Sequence, residues 1–145
     1  KQPKGQSLDQ KYLARLKQLD ELSPIEYGRI RAKTMTAPEC DPTILEHFAR
    51  IAAETKKEGL AAAIRVVSEA NNQVKFANLN MPVLVIAGTL DQTVTRELTE
   101  DMIAAVPDTV PALTVNYLPG VAHAPYMEDP ETYNAVIEKF FSTLR

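Results

Sequence analysis

The sequence predicts an α/β fold in which two parallel strands with flanking helices follow an all-helical region. Three observations carry that prediction. Apolar residues recur at three- and four-residue spacing through the first half of the chain. The pattern then changes to a continuous, β-branched run, Pro82-Val83-Leu84-Val85-Ile86-Ala87-Gly88, which suits a parallel strand covered on both faces. From there the order is strand, helix, strand, helix, which implies a right-handed crossover between two adjacent parallel strands.

The elements follow in order. Leu8 to Leu22 carries Leu13, Leu16 and Leu19 at helical spacing, with Tyr12 beside them. Ser23-Pro24 marks a stop and a restart, because serine caps a helix and proline suits its first position. A short helix from Pro24 to about Met35 and a loop, Thr36 to Cys40, are expected. Asp41-Pro42 repeats the signal and opens a stronger helix with a buried stripe of Ile44, Leu45, Phe48, Ile51 and Ala52. Gly59 is read as its C-terminal cap. Leu60, Ala63, Ile64 and Val67 face one way on the next helix, which ends near Asn71-Asn72. The helical half gives way to the strand half near Val74 to Met81. Thr95 to Val106 is helical, with Leu98, Met102, Ile103 and Val106 on one side. Leu113 to Leu118 alternates and reads as the second strand. Pro130 to Leu144 closes the chain, with Tyr133, Val136, Ile137, Phe140 and Phe141 toward the core.

Composition narrows the function classes. With 145 residues, 45% hydrophobic and 24% charged, the chain is one ordinary domain that can bury about 68–70% of its unfolded surface. Sixteen basic residues against nineteen acidic ones, a net charge of −3 and no basic block argue against nucleic-acid binding by charge. No apolar run approaches the ~20 residues that a membrane helix needs. A single cysteine, Cys40, excludes an internal disulfide framework and fits a reducing, cytoplasmic compartment. Lys1 to Ser7 has no apolar segment of the signal-peptide kind. The first residue is Lys rather than Met, which is read as a processed or excised piece.

Two loops carry the chemistry. Gly88-Thr89-Leu90-Asp91 follows the first strand and Gly120-Val121-Ala122-His123 follows the second. Both lie at carboxyl ends of neighbouring parallel strands, where open α/β sheets place their ligands. A carboxylate there can accept from imidazole Nδ1–H, fix the tautomer and leave Nε2 to take a proton from a nucleophile.

Here the sequence resembles the α/β-hydrolase superfamily. The resemblance is close over Met81 to Leu144. It rests on Pro82 to Asp91 and on His123-Ala124-Pro125-Tyr126-Met127-Glu128-Asp129-Pro130-Glu131-Thr132-Tyr133. It implies that these segments are the seventh strand with the triad acid, Asp91, and the eighth-strand loop with the triad histidine, His123. The same resemblance implies that the helical region, residues 1–73, is a cap or lid and that 74–145 is the C-terminal part of the hydrolase core. Enzymes of the superfamily carry their nucleophile on a Gly-x-Ser-x-Gly elbow, and this sequence has none. Gly5-Gln6-Ser7-Leu8-Asp9 lacks the second glycine and a preceding strand, and Ser23, Ser68 and Ser142 have no elbow either. The chain is therefore expected to be a fragment that supplies two members of a triad.

Other polar residues have plainer readings. His47 falls on the polar side of a helix and reads as a solvated histidine. Glu39 and Asp41 flank Cys40 and disfavour its thiolate, so an inert loop thiol is expected. The spacing of Glu128 before Pro130 suggests that it secures the histidine loop or the helix start. Tyr126 and Met127 suit a pocket lining or a core equally.

The resemblance implies hydrolysis of ester-like bonds, as in a carboxylesterase or lactonase. A serine outside this sequence would attack the acyl carbon, with His123 as base and then acid and Asp91 orienting it. The expected partners are a small ester-like substrate and either the missing N-terminal half or another copy of the chain. No metal or organic cofactor is implied, and the isolated chain is expected to be inactive. Three alternatives stay open, because fold does not fix function: a dehalogenase or epoxide hydrolase with aspartate at the elbow, a C–C bond hydrolase, and a non-catalytic ligand-binding protein on the same fold.

Overall fold

The computed structural model describes residues 7–69, 76 and 78–144. Among these, four helices come first: α1 (Ser7–Glu21), α2 (Pro24–Met35), α3 (Pro42–Ala53) and α4 (Lys57–Glu69). Strand β1 (Val83–Gly88), helix α5 (Arg96–Ala104), strand β2 (Leu113–Leu118), the single turn α6 (Pro125–Glu128) and helix α7 (Pro130–Ser142) follow. The expected end of a helix at Asn71-Asn72 and the expected boundary at 73/74 lie outside the described residues.

Local chemistry sets the helix starts. The Glu26 carboxylate accepts from the Ser23 amide at 3.0 Å, with Pro24 in the first turn of α2. Asp41 Oδ1 accepts from the Thr43 amide at 2.6 Å ahead of α3. Thr95 Oγ1 accepts from Leu98 at 3.4 Å at α5, and Asp129 Oδ1 from Thr132 at 3.0 Å at α7. Each satisfies an amide that the first turn leaves without an intrahelical partner. The Thr132 bond also holds the Asp129 carboxyl below its ordinary pKa.

Helices α2 and α3 pack along one another around Tyr27, Ala32, Ala37 and Ala49, all buried. The crossing is close at Gly28, where a Cβ would collide with the Ala49 carbonyl oxygen. The two strands form a parallel sheet whose register runs from Val83↔Leu113 to Gly88↔Leu118. Helix α5 packs on β1 and α7 on β2. Val85, Leu118 and Phe140 are buried there together with the loop residues Val121, Ala122 and Ala124.

Several expectations are corrected. Gly59 does not end α3: that helix stops at Ala53 with Glu54 in right-handed helical geometry, and Gly59 lies inside α4. Ile51, Val67 and Phe141, expected in the core, are each more than half exposed, and Leu13 and Met102 are exposed as well. An apolar stripe marks which side of a helix is oily, not how much of it meets a partner. Helix α3 packs on α2 through one side only, so Ile51 projects beyond the contact. Phe141 keeps an edge contact with Phe140, their ring centres 5.9 Å apart.

Candidate active site

The two strand ends turn into loops that lock onto one another. The Thr89 amide donates to the Leu118 carbonyl at 2.9 Å and the Leu90 amide to the Val121 carbonyl at 3.0 Å. In return, the Gly120 amide donates to Thr89 Oγ1 at 3.0 Å. Two glycines make this approach possible. A Cβ on Gly88 would collide with the carbonyl oxygens of Val121 and Ala122, and Gly120 has φ +77°, a region that side chains other than hydrogen rarely enter.

Asp91 and His123 meet inside this clasp. Asp91 Oδ1 accepts from the amides of Thr93 at 2.7 Å and Val94 at 2.9 Å. These bonds fix the carboxylate and leave Oδ2 toward the ring. His123 Nδ1 lies 2.8 Å from that oxygen. The Asp91 side chain is 8% exposed and that of His123 30%. An ionised carboxylate only accepts hydrogen bonds, so Nδ1 is the donor and Nε2 is the nitrogen left free in the neutral ring. That arrangement can accept a proton at Nε2 and stabilise the resulting imidazolium.

Beside the pair is an open cleft of about 260 Å³, to which Val94, Met102, Tyr126 and Tyr133 contribute with Asp91 and His123. Its walls are mostly apolar, which suits the carbon skeleton of a small ligand. Tyr126 therefore lines the cleft, while Met127 is half-buried away from it.

The other candidates sit elsewhere. His47 is exposed on α3. Ser23 Oγ donates to Glu26, and Ser142 Oγ donates to the Lys139 carbonyl at 2.6 Å. Burial pushes the Cys40 thiol up, the nearby Glu128 charge adds to it, and Asp41 contributes less. A hydrogen bond with Thr36 opposes the shift. Among the described residues, no group of three or more His, Cys, Asp or Glu side chains gathers as a metal cage, and no helix is long and apolar enough to cross a membrane.

Two residues beside the histidine loop, Met35 and Ala37, were not visible as site residues in the sequence. Met35, at the end of α2, accepts the His123 amide on its carbonyl at 3.1 Å and the Thr93 hydroxyl on its sulfur at 3.5 Å. The Ala37 amide donates to Glu128 at 2.6 Å. These contacts bring an early helix to both loops, and no local pattern signals them.

A sequence model of the dienelactone hydrolase family matches residues 33–139, well over half of the chain and inclusive of both loops. The chain belongs to the dienelactone hydrolase family. A pimeloyl-[acyl-carrier protein] methyl ester esterase from Serratia marcescens is 31% identical over 85 residues, 59% of this chain and 32% of that enzyme. An esterase from Thermogutta terrifontis superposes with a TM-score of 0.76 at 19% identity, covering 97% of this chain and 52% of the esterase. An α/β hydrolase from a deep-sea metagenome of the Medee basin gives a TM-score of 0.67 at 16% identity, over 95% of this chain and 52% of that one. The architecture is thus part of an α/β-hydrolase fold, and the chain spans about half the length of these solved relatives. The family is one of hydrolases. The family match begins at Lys33, so it reaches well upstream of the segment, Met81 to Leu144, on which the resemblance was closest.

Proposed function

We propose that this chain supplies the acid and the base of a serine-type hydrolase acting on small ester-like substrates, with the nucleophile carried by residues outside this sequence. The observation that carries the reading is the 2.8 Å approach of His123 Nδ1 to an Asp91 carboxylate already fixed by two amides. In the reaction, the serine oxygen attacks the acyl carbon and Nε2 of His123 takes its proton. The imidazolium then gives that proton to the leaving alkoxide, and water repeats the sequence on the acyl-enzyme. Asp91 holds the ring and stabilises its charge. The helical region, residues 1–73, serves as the cap of the complete fold on this reading, and 74–145 as the C-terminal part of its core. The ester chemistry in the names of the Serratia and Thermogutta relatives agrees with this reading. A cytoplasmic setting fits a chain whose one thiol, Cys40, is unpaired and half-buried.

A fluorophosphonate tests the assignment in the longer protein. It should label a serine outside these residues in wild type and leave His123→Ala unlabelled. Labelling that survives in His123→Ala would remove this histidine from the chemistry.

The partner of the chain is the remaining part of the hydrolase fold or, in its absence, a second copy. Strand β1 is paired on one edge only among the described residues. An apolar groove containing Leu79, Val83, Met102 and Val106 runs along it. Exposed strand edges and apolar patches of this kind promote association. In sedimentation velocity the isolated chain should therefore show a coefficient that rises with concentration; a compact, concentration-independent monomer is the contrary result.

A further inference from the structure

The amides around His123 are all taken, and by only two residues. Ala122 and Ala124 donate to the same oxygen, Glu128 Oε1, at 3.0 and 3.3 Å. His123 between them donates to the Met35 carbonyl at 3.1 Å. The second oxygen of Glu128 accepts from Ala37 at 2.6 Å, across 91 positions of sequence. Ala37, Ala122 and Ala124 are buried, so water does not replace these bonds without opening the loop. Glu128 itself is held in place: it is the last residue of α6, its amide donates to the Ala124 carbonyl at 3.0 Å, and Asp129, directly after it, caps α7.

We propose that Glu128 is a positioning residue, whose carboxylate fixes the backbone on both sides of His123 and ties that loop to the end of α2, so that the ring is presented to Asp91. This rests on the reading of Asp91 and His123 as the acid–base pair. The chemistry requires a carboxylate rather than any polar group. Two oxygens offer about four acceptor sites and no donor, and three N–H groups converge on them from two directions. A glutamine of the same size has one acceptor end. Whichever way its amide turns, an NH₂ faces either Ala37 or the pair Ala122 and Ala124, donor against donor. One of the two ties is lost, and the ring of His123 gains freedom to leave Asp91. Met35 extends the same brace to the acid loop, since it contacts Thr93, whose amide holds Asp91.

The test uses this chain, hydrogen exchange and ¹H–¹⁵N spectra of the two imidazoles, with exposed His47 as the internal reference. In wild type the neutral ring of His123 should populate the Nδ1–H tautomer that Asp91 requires. In Glu128→Gln, the amides of Ala37 or of Ala122 and Ala124 should exchange at least about tenfold faster, the loss expected for hydrogen bonds to a charged acceptor, while β1 and β2 amides keep their protection. The His123 tautomer population should move toward that of His47. Faster loop exchange with an unmoved ring would make Glu128 a loop brace only and overturn the proposal, as would no change at all. Should Glu128→Gln unfold the chain, Glu128→Asp decides in its place. It keeps the charge but is one methylene too short to reach both segments, and the same shift of the ring is expected. Asp91→Asn separates the two levels: a His123 ring unmoved by that change removes the pair and the proposal with it, whereas a ring that responds to Asp91→Asn but not to either Glu128 variant removes the proposal alone.

Discussion

On the proposed assignment, with the nucleophile supplied by residues outside this sequence, His123→Ala should lower kcat for a short-chain ester by about 10⁶-fold and Asp91→Asn by about 10⁴-fold. The order of the two losses follows from the geometry. Without His123 no described side chain can take the proton of the attacking oxygen. Asparagine at 91 keeps the shape, and its carbonyl oxygen can still satisfy either the two amides of Thr93 and Val94 or the ring, but not both. The two amides together outnumber the single ring nitrogen, so the NH₂ turns toward Nδ1. The ring then has to protonate Nε2 and offer Nδ1 as acceptor, which is the wrong tautomer for a base. Substrate binding does not use that hydrogen bond, so KM should change little in Asp91→Asn. Steady-state kinetics of both variants check this. A loss of similar size in KM rather than in kcat would mean that Asp91 shapes the cleft instead of the base.

The parts of this site that were legible in the sequence are those governed by short-range rules. Ser23-Pro24 and Asp41-Pro42 announce helix starts because the cap acts within three residues. The run Pro82 to Gly88 announces a strand, though among the described residues only Val85 of it is buried, and its neighbour Leu113 to Leu118 falls into register beside it. Once two parallel strands are adjacent, the residues just beyond their carboxyl ends are brought together, and that is where Asp91 and His123 stand. Gly59 misled because a glycine after a run of charges resembles a C-terminal cap, whereas here it is carried in the first turn of α4. Ile51 and Phe141 misled because periodicity reports the apolar side of a helix and not the reach of its partner. The role of Glu128 was legible only in outline. Its spacing before Pro130 pointed to the histidine loop, but the bond to Ala37 spans 91 positions and depends on where the end of α2 packs. The main causes of the Cys40 shift were hidden for the same reason: the buried setting and Glu128 come from tertiary structure, and the sequence neighbour Asp41 contributes less.

The isolated chain should hydrolyse a short-chain nitrophenyl ester no faster than buffer, and His123→Ala should make no difference to that rate. A base without a nucleophile to activate has nothing to deprotonate except water, and the oxyanion donors of a strand-to-helix elbow are part of the same missing motif. Two threonine oxygens near the pair already hold bonds. Thr89 Oγ1 accepts from Gly120, and Thr93 Oγ1 donates to the Met35 sulfur. Ser23 and Ser142 close local bonds at helix ends. The Cys40 thiol is held protonated by burial and by the Glu128 charge, so it does not offer the thiolate that nucleophilic attack requires. Adding back a polypeptide with a Gly-x-Ser-x-Gly elbow should restore turnover only if it also pairs with the open edge of β1, because the nucleophile must come within about 3 Å of His123 Nε2. Turnover by the chain alone that disappears in His123→Ala would show that a nucleophile lies within these 145 residues, and the division of the triad between two segments would then be wrong.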